Sequence, residues 1–114
     1  MAYKIDDVFS ALADQNRRQI LMMLSEKKMT VNAITENFKI SRPAVSKHLK
    51  ILLKTRLVVP KQKGRERYYR LNVEPLNQVR EWLEFYNKFW DKKLKQLKNY
   101  LENDNGTNRK KGNG

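Results

Sequence analysis

The residues with the clearest chemical potential lie in Lys39 to Leu53, KISRPAVSKHLKILL. On a helix of 3.6 residues per turn, Val45, Leu49 and Leu52 share one face, while Pro43, Ser46, Lys47 and Lys50 share the other. The second face carries two ammonium groups and a hydroxyl, with no acid beside them. Such groups donate hydrogen bonds to phosphate oxygens and to the edges of bases in a major groove. Lys47 can donate to O6 and N7 of guanine, whereas the Ser46 hydroxyl pairs with several base edges and specifies less. His48 falls on the flank of this helix, as a packing or phosphate-facing residue. Taken alone, the segment also reads as an ordinary amphipathic helix whose lysines face water.

Charge over the whole chain weighs against that plain reading. The 114 residues carry 25 Lys and Arg against 12 Asp and Glu, a formal charge of +13. The excess is concentrated in Lys39 to Arg70, where eleven Lys and Arg accompany one acid, Glu66. A basic middle third marks a surface for a polyanion, nucleic acid first and acidic membrane second. Other chemistries lack their parts. With no cysteine and a single histidine, neither a thiolate nucleophile nor a His-rich metal site is expected, and no catalytic residue, cofactor or metal ligand is assigned. The first segment is amphipathic and contains acids, unlike a signal peptide, and no apolar run reaches membrane-spanning length. A cytoplasmic, nucleoid-associated protein that binds no membrane is expected.

The elements that must position the basic face follow from periodicity and capping. Ile5, Val8, Phe9 and Leu12 recur at helical spacing. Asp14 can cap a second helix with Ile20, Leu21 and Leu24 as its stripe, and Arg17 and Arg18 lie near its positive end, suited to a phosphate or to a structural salt bridge. Thr30 can cap a short third helix containing Val31, Ile34 and Phe38. After the turn at Lys39 and Ile40, Ser41 can cap the fourth helix, where Arg42 and Pro43 suit the first turn. A short helix, a turn and a helix with a polar outer face make a helix-turn-helix.

Beyond Leu53 the pattern alternates, with Leu57, Val58 and Val59 before Pro60, and Tyr68, Tyr69 and Leu71 after a polar run. This predicts a β-hairpin turning at Gly64, with Pro60 on an edge strand. Its tip, Lys61 to Arg67, forms a basic wing. From Pro75 to Leu101 apolar residues recur at steps of three and four, including Leu83, Tyr86, Trp90, Leu94 and Leu97, with Trp82, Phe85 and Phe89 widening the stripe. A chain this small can hardly cover so broad a face, so part of it is expected to pack on a second copy. The stretch 102–114 has nothing to bury and is expected to be a disordered polar tail after a domain spanning 1–101. The expected fold is mainly α with a small β-hairpin, a dimeric winged helix-turn-helix in the order α-α-α-α-β-β-α.

In this order of elements the chain resembles the ArsR family of bacterial winged-helix repressors, specifically a thiol-free branch. The resemblance rests on Leu12 to Asp14 with Arg17 to Leu21, on SRPAVSKHLKIL from Ser41 to Leu52, on Gly64 to Glu66 with Tyr69 to Leu71, and on Trp82 to Asp91 followed by Leu94 and Leu97. It implies a homodimer joined by its first and last helices, through Val8, Phe9, Leu83, Tyr86, Trp90, Leu94 and Leu97. Such a dimer would repress transcription from an imperfect palindrome in double-stranded DNA. The expected DNA-binding residues are Arg17, Arg18, Ser41, Arg42, Pro43, Ser46, Lys47, Lys50, Lys63, Arg65 and Arg67, with Arg65 placed in the minor groove. The chain departs from the family pattern at Gln15-Asn16, usually Pro-Thr, and at Arg56, usually glycine. Many relatives sense metals through a Cys pair on the third helix or through His and carboxylates on the last, and this chain has neither set. The controlling signal, an effector or partner protein, is therefore left open. The alternative to a sequence-specific regulator is an architectural protein that coats or bends DNA regardless of sequence.

Overall fold

The computed structural model describes residues 4–109. The elements are α1 (Ile5–Leu12), α2 (Gln15–Glu26), β1 (Met29–Thr30), α3 (Val31–Thr35), α4 (Arg42–Lys54), β2 (Val58–Lys63), β3 (Glu66–Leu71) and α5 (Glu74–Arg109). Together they form a winged helix-turn-helix, with α3 and α4 as the two helices and β2 and β3 as the wing.

Helices α2, α3 and α4 each start where a short polar side chain satisfies an orphan amide. The Asp14 carboxylate accepts from the Arg17 amide at 3.1 Å, the Thr30 hydroxyl from the Ala33 amide at 3.2 Å, and the Ser41 hydroxyl from the Ala44 amide at 3.3 Å. The apolar stripes meet in one core of Val8 and Ala11 from α1, Ile20, Leu21 and Leu24 from α2, Ile34 from α3, Val45, Leu49 and Leu52 from α4, and Leu57 and Val58. Leu76 and Val79, from the start of α5, pack against it.

The wing is larger than the predicted hairpin. Its sheet has three antiparallel strands in the order β1-β3-β2, because Met29 and Thr30 pair with Tyr69 and Tyr68. Two residues are too few to show strand alternation, so the sequence pattern revealed only the capping role of Thr30. Pro60 lies on β2, an edge of the sheet, where its missing N–H costs no ladder bond. Lys63 pairs with Glu66, leaving Gly64 and Arg65 as the loop, and the positive φ of 63° at Gly64 alone is the pattern of a type II′ turn.

The chain divides into two units, Met1–Val79 and Arg80–Gly114. The second unit is helical as far as Arg109, so no break marks the boundary expected after Leu101. Residues 110–114 of the expected tail lie outside the described residues.

Helix α4 ends in a left-handed residue. Arg56 has a φ of +64°, its amide donates to the Leu53 carbonyl at 3.1 Å, and the Leu57 amide donates to the Leu52 carbonyl at 3.0 Å. This is a Schellman ending, which normally employs glycine. Arginine holds the conformation because the next turn is fastened on both sides. The Asn72 side chain donates to the Arg56 carbonyl at 2.8 Å and the Asn72 amide donates to the Leu57 carbonyl at 2.9 Å. Arg56→Gly removes the Cβ penalty and is expected to stabilise the protein by about 0.5–1 kcal/mol, read as a higher midpoint in urea at unchanged slope.

Candidate nucleic-acid interface

The basic face of α4 is fixed by what the helix buries. Val45, Leu49 and Leu52 are at most 2% exposed. Consequently Arg42, Pro43, Ser46, Lys47 and Lys50 all face solvent, as does the capping residue Ser41. Arg42 is steadied from the preceding helix, its Nε donating to Asn32 Oδ1 at 2.7 Å. Below the helix, the wing exposes every residue from Lys61 to Arg67. The Gln62 side chain donates to the Gly64 carbonyl at 3.1 Å and braces the turn. Arg67 stacks on Tyr69, two residues along the same strand face, at 5.6 Å from the ring centroid. The structure thus brings Arg42 of α4 and Arg65 and Arg67 of the wing around one open polar cleft.

Arg17 and Arg18 have a different place. Arg17 donates from Nε to the Ala11 carbonyl at 2.7 Å and from Nη2 to the Ser10 carbonyl at 3.1 Å, while Arg18 Nη1 donates to the Leu12 carbonyl at 2.7 Å. These carbonyls end α1, which has no basic residue in its own last turn. The two guanidiniums therefore cap α1, favourably placed at the negative end of its dipole. Arg17 also approaches α4, its Nη1 lying 3.3 Å from His48 Nδ1. His48 is a packing residue between α2 and α4, with its side chain 17% exposed.

Among the residues expected at a subunit interface, Val8 is fully buried within the core of its own chain and offers no surface to a partner. The sequence pattern gives the apolar face of α1 but not which of its residues that core uses up. Phe9 is half-buried. Leu83, Tyr86, Trp90, Leu94 and Leu97 are 40% to 58% exposed, all on one broad face of α5 with the exposed Trp82, Phe85 and Phe89. Among the described residues no helix is long and apolar enough to cross a membrane, and no group of three or more His, Cys, Asp and Glu could hold a metal ion.

The family model for bacterial regulatory proteins of the arsR family matches residues 14–59, which run from the cap of α2 into β2. The chain is similar to the transcriptional repressor SdpR of Bacillus subtilis (strain 168), with 40% identity over 85 residues, covering 74% of this chain and 94% of that protein. The chain belongs to the ArsR family. It is also similar to the arsenical resistance operon repressor of the same organism, 41% identical over 75 residues, covering 65% of this chain and 71% of that protein. A solved ArsR-like transcriptional regulator from Rhodococcus sp. RHA1 superposes with a TM-score of 0.66 at 33% identity, covering 82% of this chain and 89% of that one. The ArsR-family chain is thus a sequence-specific DNA-binding transcriptional regulator and not an enzyme.

Asp14 joins the cap of α2 to this interface. The Arg17 amide holds its carboxyl below the usual carboxylate range against the opposing effect of partial burial, helped by the charge of His48, the Asn16 amide and the charge of Arg17. A depressed carboxylate stabilises the fold above its unfolded pKa, and that stabilisation is lost as pH falls through the lower folded value. Asp14→Ala is expected to cost about 1 kcal/mol at neutral pH and to flatten the acid side of the stability curve. Asp14→Asn keeps most of the cap but also flattens the acid side, as denaturant titrations across pH would show.

Proposed function

We propose that this ArsR-family protein is a homodimeric repressor that binds an imperfect palindrome in promoter DNA and works in the cytoplasm, associated with the nucleoid. The observation that carries the reading is the outer face of α4, where Pro43, Ser46, Lys47 and Lys50 lie exposed opposite a buried Val45, Leu49 and Leu52 stripe. Two copies of α4 would enter successive major grooves, roughly 34 Å or about 10 bp apart. Lys47 reads guanine, Ser46 and Lys50 support it, and Ser41, Arg42 and Pro43 lie at the groove edge. Lys63 and Arg67 hold phosphates and Arg65 reaches the minor groove.

Arg17 and Arg18 act at one remove in this reading, both holding α1 to α2, and Arg17 also reaching α4 through His48. The exposed leucine and aromatic face of α5, with Phe9 of α1, supports pairing of two copies. The two similar Bacillus subtilis proteins are both named repressors, which favours repression as the outcome of binding. An effector or partner protein would release the DNA.

Footprinting on the DNA upstream of its own gene is expected to show two protected half-sites related by a dyad, and a smeared pattern that random duplex competes away would point to sequence-indifferent coating instead. Lys47→Ala is expected to relax base preference, while Lys63→Ala weakens all sequences alike and lowers the salt slope of log affinity by about 0.9 for one phosphate. The reverse outcome would exchange the reader and the positioner.

A further inference from the structure

The cleft between the helix-turn-helix and the wing has a volume of about 460 Å³ and is lined by Asn32, Glu36, Arg42, Arg65, Glu66 and Arg67 among others. Two of its three guanidiniums are held in place by neighbours that use only part of them. Asn32 engages Arg42 through Nε alone, which leaves both terminal amino groups of that side chain available. The Tyr69 ring supports Arg67 by its face, which leaves the donors on its edge available. The ion pairs of the described residues are His48 with Asp14 and Lys98 with Glu102, so no carboxylate lies within 4.0 Å of the charged nitrogens of these arginines. Like charges oriented into one cleft without a contacting acid repel one another until an anion arrives. A planar guanidinium fork matches two phosphate oxygens.

We propose that this cleft is a clamp for a single backbone phosphate of DNA, gripped jointly by Arg42 from α4 and Arg67 from the wing, with Asn32 as a positioning residue. The inference rests on the operator-binding reading above. It adds that the reading helix and the wing share one phosphate, so that they engage the duplex as one rigid gauge. Charge decides between DNA and free phosphate as the source. Glu36 and Glu66 leave three arginines with an excess of one positive charge in an open cleft. A free anion gains little there, whereas a phosphodiester is carried in by every other contact of the complex.

The test is a double-mutant cycle on operator affinity with the full-length protein. Asn32, Arg42 and Arg67 are all exposed, so their variants are expected to fold, as circular dichroism would check. Arg42→Ala and Arg67→Ala are each expected to weaken binding about ten- to hundredfold. The double variant is expected to lose little more than the worse single variant. Its salt slope should fall by about 0.9, the value for one phosphate, and not by twice that. Arg67→Ala combined with Lys63→Ala supplies the additive control. In an Asn32→Ala background, Arg42→Ala is expected to cost less. With unaltered protein, a methylphosphonate at one backbone position per half-site is expected to reproduce the Arg42→Ala loss, and the double variant should not respond to it.

Additive losses, slopes that sum to two phosphates, or different sensitive positions for the two single variants would overturn the clamp while leaving operator binding intact. Failure of the unaltered protein to footprint a dyad would instead remove the reading on which the clamp rests. Inorganic phosphate alone, titrated against the arginine side-chain NMR signals, is expected not to saturate at millimolar concentration. Saturation abolished by Arg42→Ala would assign the cleft to a free anion and overturn the DNA source.

Discussion

The burial of Val45, Leu49 and Leu52 sets the direction of every other group on α4. At 100° per residue, three fixed positions on one helix leave no rotational freedom to the rest. Turning α4 by one residue would drive Ser46 or Lys50 into a core in which, among the described residues, no polar or charged side chain is buried, and an unpaired ammonium there costs several kcal/mol. The axial position is equally constrained. Ser41 caps the first turn and the Schellman ending at Arg56 closes the last, so the helix can neither slide nor lengthen. The strained backbone at Arg56 follows from this constraint, because the chain must reverse within one residue to place Leu57 and Val58 in the same core.

Around this helix the cations divide by the groups they meet. Arg17 and Arg18 turn inward onto the last carbonyls of α1 and satisfy acceptors that the short helix leaves open. Arg42 and Arg67 are each held by one neutral neighbour, an amide oxygen and an aromatic face, that positions the guanidinium without neutralising it. Lys47 and Lys50 are exposed without such a tether, which in the proposed complex suits adaptable donors to base edges. One basic composition thus yields structural caps, tethered guanidiniums and untethered ammonium groups, distinguished by environment as well as by residue type.

That division explains what the sequence could reveal. Helix caps at Asp14, Thr30 and Ser41, the stripes of α2 and α4 and the glycine turn of the wing all depend on residues within a few positions of one another, and each was legible. The missed features join distant positions. The β1 pairing spans from Met29 to Tyr69, the Arg42 tether reaches back ten residues to Asn32, and Arg17 meets His48 from another helix. The capping role of the arginines at the start of α2 is hidden locally because the carbonyls they satisfy belong to the preceding element. Val8 shows the same limit, since periodicity names an apolar face but cannot say which of its residues the chain's own core consumes. For the interface, the exposed face of α4 was readable from phase alone, while the cleft containing Asn32 and Glu36 needed the wing to be folded beside α3.

In the proposed complex the choice of side chains on the outer face of α4 also constrains how specificity is achieved. Lysine at positions 47 and 50 presents an ammonium, a point donor that satisfies O6 and N7 of guanine less rigidly than a guanidinium fork. Serine at 46 accepts and donates, and so discriminates weakly. Each half-site read in this way gains only modest discrimination, about 1–3 kcal/mol per good contact. Selectivity over a genome then depends on geometry, because two half-sites at a fixed separation multiply their individual preferences while an unpaired half-site does not. In the proposed complex this makes the spacing of the two α4 helices as informative as their side chains. In that complex the aromatic face of α5 would belong to recognition although it touches no base, since pairing two copies through it would convert two weak readers into one selective one.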